Sequence, residues 1–267
     1  MEEINENDFD ELIEIINEEY DKKINQNIES HNNNFKKSLK KFDEIKTLYF
    51  LLSYVVTNDK ESEELKGRHF FCEKYLRVVA DNCYELKQLF EKGLHIQFQL
   101  LFRSQFEFLN TLIAFVGSED YFKIYCREND KNFILTPKPI NTEKALKKIL
   151  KNHIKGDFDA FWSTFNLILK SIYSQLSTNS HGNIPSIALQ SYQGRKDNTE
   201  IFDENFCGVE YPLNVTKEIV KQFFHYSQIA GSILVKLLDE NDMLDKNHLF
   251  YNYIYLRSNK FEIITIE

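Results

Sequence analysis

The sequence predicts a mainly α-helical bundle, and three observations carry that prediction. Only 8 glycines and 4 prolines are spread over 267 residues, too few to supply the frequent turns of an all-β fold. Long apolar side chains recur three and four residues apart through most of the chain, which is the period of one helix face. The interruptions of that period fall on segments rich in Asn, Gly, Pro and Ser.

The elements follow in order. Phe9, Leu12, Ile13, Ile16, Tyr20, Ile24 and Ile28 mark a first helix within Asp8–Glu29, with acidic residues at its start, where the dipole is positive. The run His31–Asn34 predicts a break. Leu39, Phe42, Ile45, Tyr49, Leu52 and Val56 mark a second helix over Phe35–Thr57. A third covers about Ser62–Lys92, and Gly93 separates it from a fourth, Leu94–Val116. A short helix is expected around Ser118–Glu128, then a loop, Asn129–Ile140. Asn141 or Thr142 caps the next helix, which reaches about Ile154. Phe158, Phe161, Trp162, Phe165, Leu169 and Ile172 line another over Asp157–Leu176, and the pattern stops at Ser177. Ile184–Asn214 lacks a helical period and reads as a long loop, a common place for function. Val215–Leu238 is the last strong helix, and alternation across Phe250–Glu267 suggests a β-hairpin. The expected organisation is an N-terminal helical segment (1–60), a helical core (61–240) and a C-terminal tail (241–267).

Composition narrows the function classes. A net charge of −8 argues against a generic electrostatic grip on nucleic acid, though not against a local basic pocket. The runs Lys36-Lys37 with Lys40-Lys41, and Lys144 with Lys147-Lys148 and Lys151, read as solvated helix faces. Cys72, Cys83, Cys126 and Cys207 form no C-x-x-C pair or zinc spacing, and the histidines form no H-x-x-x-H pair. Free buried thiols in a reducing cytoplasm, with no metal and no cofactor, are expected. No phosphate-binding glycine loop or nucleophile elbow occurs. Met1–Asp10 is acidic and lacks the apolar run of a signal peptide. Leu94–Val116 has a membrane-spanning length. Arg103 and Glu107 near its midpoint, with Gln97, Gln99, Gln105 and Asn110, make insertion costly, so the segment reads as a helix buried in protein.

That helix carries the most informative pattern in the chain. His95, Gln99, Arg103 and Glu107 are four residues apart and Asn110 follows three later, so they lie along one slowly drifting stripe. Phe98, Phe102, Phe106, Leu109 and Ile113 form an apolar ridge on another face. In so apolar a helix the Arg103–Glu107 pair is expected to be partly buried and met by other polar groups. Two readings stand: an ion pair that fixes helix packing, or a pocket in which the guanidinium fork binds an anion such as phosphate. The second polar cluster is Ser177-Thr178-Asn179-Ser180-His181-Gly182-Asn183. It reads as a helix-terminating turn, or as a histidine presented for acid–base work near neutrality, with Gly182 freeing the backbone.

Arg103-Ser104-Gln105-Phe106-Glu107 resembles the R-S-x-x-E helix of a bacterial family related to the HEPN superfamily. Ser177–Gly182 resembles that family's later S-x-x-x-H-G element. The likeness spans about Ser62–Leu238 in helix order and is specific at these two motifs. It implies an HEPN-like multi-helix bundle, a homodimer, and a place among toxin–antitoxin and antiviral defence proteins, many of them metal-independent ribonucleases. The implied partners are RNA or a nucleotide and an antitoxin or other defence-system protein, with no membrane. The implied catalytic set is His181 as acid–base, Arg103 on the phosphate and Glu107 orienting it, with Ser177, Asn179, Ser180 and Gln99 as binding residues. The usual HEPN nuclease motif has an arginine on the same helix, with four to six residues between it and the histidine. Leu176, Gln175 and Ser174 occupy those places here, so Arg103 serves only if its helix packs beside Ser177–His181. A non-catalytic scaffold, and a nucleotide- or anion-binding module, are the other expectations.

Overall fold

The structure, a computed structural model, describes residues 6–56, 63–124, 142–154, 156–180 and 213–260. These form α1 (Glu6–Asn34), α2 (Lys36–Val55), α3 (Glu63–Glu91), α4 (His95–Gly117), α5 (Thr142–His153), α6 (Phe158–Ser180), α7 (Leu213–Glu240) and α8 (Tyr251–Lys260). Residues 119–124 add a helical turn after α4. No strand occurs among the described residues; Val56 and Leu244 make one isolated antiparallel bridge. The fold is mainly α, as the periodicity predicts. No helix among the described residues is long and apolar enough to cross a membrane.

The packing places α4 against α3, α5, α6 and α7, while α2 fills the space between α3 and α7. The predicted apolar ridge of Phe98, Phe102, Phe106, Leu109 and Ile113 is buried. Phe223 of α7 joins the layers: it stacks on Phe42 of α2 with centroids 5.1 Å apart and meets Phe102 of α4 edge-on at 5.2 Å. Such ring pairs contribute about 0.5–1.5 kcal/mol beyond their area burial.

Two junctions fix the helix ends around α4. At the first, Gly93 has φ +71°, where its N–H donates to Phe90 O and the Leu94 N–H to Leu89 O. A Cβ at Gly93 would lie 2.6 Å from Asn27 Nδ2, which itself donates to Lys92 O at 3.1 Å. Glycine is therefore required both by the turn and by the docking of α1. At the second, Arg68 of α3 is buried and donates from Nε to Phe115 O at 2.8 Å and from its terminal amino group to Val116 O. These carbonyls belong to the unpaired, negative end of α4, so a cation both satisfies and stabilises them.

The structure differs from the sequence reading at three helix ends. The His31–Asn34 run does not break α1: the helix continues through it and the Phe35 N–H still donates to His31 O. Asn27 and His31 are buried on the bundle, and that docking outweighs the weak helix preference of the asparagines. Likewise α6 continues past Leu176 to Ser180. The β-hairpin expected across Phe250–Glu267 is corrected: residues 251–260 are the helix α8. Ile254 points into the core with Tyr251 packed against it, and the Tyr251 hydroxyl donates to Asp239 Oδ1 of α7 at 3.1 Å. The apolar alternation here reflects exposed Tyr253, Tyr255 and Leu256, not a buried sheet face. Residues 261–267 lie outside the described residues, as do the loop at 129–140 and most of 184–214.

Gly93→Ala is expected to lower unfolding free energy by more than about 1 kcal/mol, because strain and the Asn27 collision add. Arg68→Ala is expected to cost about 1–3 kcal/mol for each buried carbonyl left unpaired. Urea denaturation followed by circular dichroism measures both.

Candidate functional site

The polar stripe of α4 is continuous in sequence but not in environment. His95 and Gln99 are enclosed, Gln99 with 1% of its surface exposed. Asn110 is also enclosed, and its Oδ1 accepts a 2.8 Å hydrogen bond from the Tyr226 hydroxyl of α7. Between them Arg103 and Glu107 reach solvent, with side chains 22% and 56% exposed. Arg103 Nε donates to Glu107 Oε1 at 3.2 Å. The pair is partly buried, as expected, on its Arg103 side, while Glu107 is exposed. The physical reason is the gap in the cover of α4: Gln97, Leu100 and Glu107 are exposed, Ser104 is half-buried, and together they trace one uncovered strip beside Arg103. An exposed i, i+4 pair contributes only about 0.2–0.5 kcal/mol, so this one does not fix helix register.

Buried amides do that instead. Gln105 is fully enclosed, with Nε2 donating to Val79 O at 3.1 Å and Oε1 accepting from Asn82 Nδ2 at 3.1 Å. Its Nε2 also lies 3.4 Å from Cys83 Sγ. This clasp sets α4 against α3, as Asn110–Tyr226 sets it against α7. Sequence reading placed Gln105 inside the R-S-x-x-E motif without giving it a role. Its signal was an amide two residues from Arg103 yet on a different face.

Arg103 gains a neighbour that sequence reading did not single out. Its guanidinium carbon lies 5.4 Å from the centroid of Tyr173 on α6, and that ring is half exposed. Such cation–π contacts contribute about 0.5–1 kcal/mol at exposed sites. Tyr173 follows the inward Ile172 and so falls on the outer side of α6, an aromatic residue on a polar face. Ser177 and Ser180 come four and seven residues later in the same helix, about 6 and 10 Å further along its axis. The structure therefore joins Arg103, Glu107 and Tyr173, and it sets the Arg103 helix against the helix that ends at Ser180. His181 lies outside the described residues, and the side chains of Ser177, Asn179 and Ser180 do as well. A guanidinium beside a half-exposed ring can hold a phosphate and stack a base.

His31, His95, His153, Cys72 and Cys83 serve packing or hold one helix to another. His95 and His31 have ring centroids 5.4 Å apart and both pack against Phe90. Burial, with His31 beside it, pushes the His95 imidazole from 6.5 down to about 3. His31 Nδ1 lies 2.9 Å from Asn27 O, an acceptor only, so that nitrogen carries the proton. His153 Nδ1 meets Glu240 Oε2 at 2.6 Å, tying α5 to the end of α7. Burial pushes the Cys72 thiol up to about 12 and raises that of Cys83, which disfavours the reactive thiolate in both. Cys126 and Cys207 lie outside the described residues. Among the described residues no group of three or more His, Cys, Asp or Glu could hold a metal ion.

Compared with known protein families, curated proteins and solved structures, the chain matches none.

A double-mutant cycle on Arg103→Ala and Glu107→Ala is expected to give a coupling of about 0.2–0.5 kcal/mol. Thermal unfolding of the four proteins measures it. His95 gives a pH dependence of definite sign. It stays neutral in the fold, whereas the unfolded chain binds its proton below about 6.5. Its contribution is therefore complete above about pH 6.5 and is lost progressively as pH falls towards about 3. Unfolding free energies measured across that window should fall less steeply in His95→Gln than in wild type.

Proposed function

We propose that this chain is an HEPN-like protein of the toxin or antiviral-defence kind that acts on RNA without a metal, through the surface that Arg103 and Glu107 form with the end of α6. The observation that carries the reading is the contact of Arg103 with Tyr173, one helical turn before Ser177. It puts the R-S-x-x-E helix directly against the helix that leads into Ser177–His181, which is the arrangement the missing same-helix arginine requires. In the proposed reaction the RNA 2′-oxygen attacks the neighbouring phosphorus and the 5′-oxygen leaves, giving a 2′,3′-cyclic phosphate. His181 handles the protons, and Arg103 stabilises the charge gathering on the phosphoryl oxygens. Glu107 orients the guanidinium through its 3.2 Å contact with Nε. A homodimer and an antitoxin or other defence partner belong to the same proposal.

A second reading, binding of a nucleotide or small anion without chemistry, is favoured by the half-exposed Tyr173 ring beside Arg103. The ring offers a stacking face and the guanidinium a phosphate contact, and neither needs His181. For the scaffold reading, in which Arg103, Glu107 and His181 form a buried network, the more than half exposed Glu107 is the weaker member, and Gln105 and Asn110 are buried more deeply.

The test is cleavage of a mixed-sequence RNA in EDTA. Wild type should produce 2′,3′-cyclic phosphate ends, and His181→Ala and Arg103→Ala should each slow cleavage by about 100-fold or more. Arg103→Ala should stay folded, so its loss would be one of chemistry. Equal activity in wild type and His181→Ala would remove the catalytic reading. A nucleotide-dependent rise in melting temperature that is lost in Arg103→Ala but kept in His181→Ala would select the second.

A further inference from the structure

A separate cleft lies where the end of α1, the start of α2 and the N-terminal half of α7 meet. It encloses about 870 Å³, within the range of small-molecule sites. Lys36, Lys37 and Lys41 enter it from α2, and Lys217 and Lys221 from α7. Along the sequence the first three read as a solvated helix face. Folding sets them across from two lysines some 180 positions away, on a chain whose net charge is −8. Glu218 is the one carboxylate lining the cleft, and it lies 3.9 Å from Lys221. Lys36, Lys37 and Lys217 have no carboxylate partner among the described residues, and Lys41 sits 5.6 Å over the Phe224 ring.

Three features show that this is more than a gathering of lysines. First, the charge is in the wrong place for helix stability. Cations are unfavourable at the positive end of a helix dipole, yet α2 starts with Lys36-Lys37 and has no acidic residue in its first turn. Second, the N-cap is Phe35, which makes no side-chain hydrogen bond to the first amides, so those N–H groups remain available to an incoming acceptor. Third, Gln228 on the cleft wall is only 8% exposed and has no hydrogen-bond partner among the described residues. Its amide is not sealed off but opens onto the cleft, where a ligand oxygen can take the place of water. An anion with several oxygens answers all three: it neutralises the lysines, accepts from the free amides and reaches Gln228.

We propose that this cleft binds a compact polyphosphate group, as carried by a nucleoside di- or triphosphate or by inorganic polyphosphate. Lysines suit this ligand because flexible point charges can follow a chain of phosphates, whereas planar, bidentate recognition favours arginine. The cleft shares no residue with the Arg103 surface, so the proposal holds whether or not that surface acts on RNA.

The experiment is isothermal titration of the full chain with ATP and with inorganic triphosphate, in EDTA, at two salt concentrations. The variants are Lys37→Glu/Lys217→Glu and, as an equal change of net charge elsewhere, Lys148→Glu/Lys170→Glu. Wild type should bind at least one of the two, more weakly at higher salt. The cleft variant should bind about ten-fold more weakly or worse, a loss typical of removed charge-assisted contacts, while the control variant and Arg103→Ala bind as wild type does. Tighter binding of ATP would identify a nucleotide, and equal binding would show that phosphates alone are recognised. Failure of both to bind at millimolar concentration would overturn the proposal. So would equal weakening in the control variant, or binding that only a single-stranded RNA achieves.

Discussion

The burial of α4 sets how α3, α5, α6 and α7 are arranged around it. A helix with neighbours on most of its sides cannot leave polar groups to water, so each one inside must find a protein partner. Gln105 finds Val79 and Asn82 on α3, Asn110 finds Tyr226 on α7, and the last carbonyls find Arg68. Each pairing fixes one neighbour in rotation and in height. The apolar ridge supplies most of the free energy of packing, but ridges slide, and the amides remove that freedom. Tyr49 completes the set by donating to Ser227 O at 2.6 Å, holding α2 to α7.

The same constraint explains why Arg103 and Glu107 stand out. Among the described residues α4 has an uncovered strip, and the ion pair sits on its edge, with Glu107 largely in water and the Arg103 side chain partly covered. A pair that contributes little to stability is free to change for other reasons. Its contact with Tyr173 makes the strip part of a surface shared by α4 and α6, and that sharing, not the ion pair, gives it functional interest. The lysine cleft lies at a different place and follows a different logic. There the helix end is left uncapped and cations are placed against the dipole, a local loss of stability that a bound anion would offset.

Much of the fold was legible in the sequence because spacing reports burial directly. The ridge from Phe98 to Ile113, the break at Gly93 and the start of α5 at Thr142 all follow from local rules. What was not legible depends on tertiary partners. The His31–Asn34 run looks like a break until Asn27 and His31 are docked on the bundle. Tyr251–Lys260 looks like a strand until Ile254 proves to be the one deeply buried residue among its described side chains. Of the site, Arg103 and Glu107 were visible as an i, i+4 pair, but their exposure was not, because a stripe does not say which part of it a neighbouring helix covers. Tyr173 and the pairing of Lys36 and Lys37 with Lys217 were invisible for the same reason: no local rule links residues 70 or 180 positions apart.

Hydrogen–deuterium exchange on the intact chain reads the burial of α4, since amides in the helix against which the others pack should open only when the whole bundle does. Residues 98–116 of α4 should exchange slowest, at rates set by global unfolding, and the exposed first half of α1 should exchange many-fold faster. Exchange across α4 as fast as in the first half of α1 would contradict that burial.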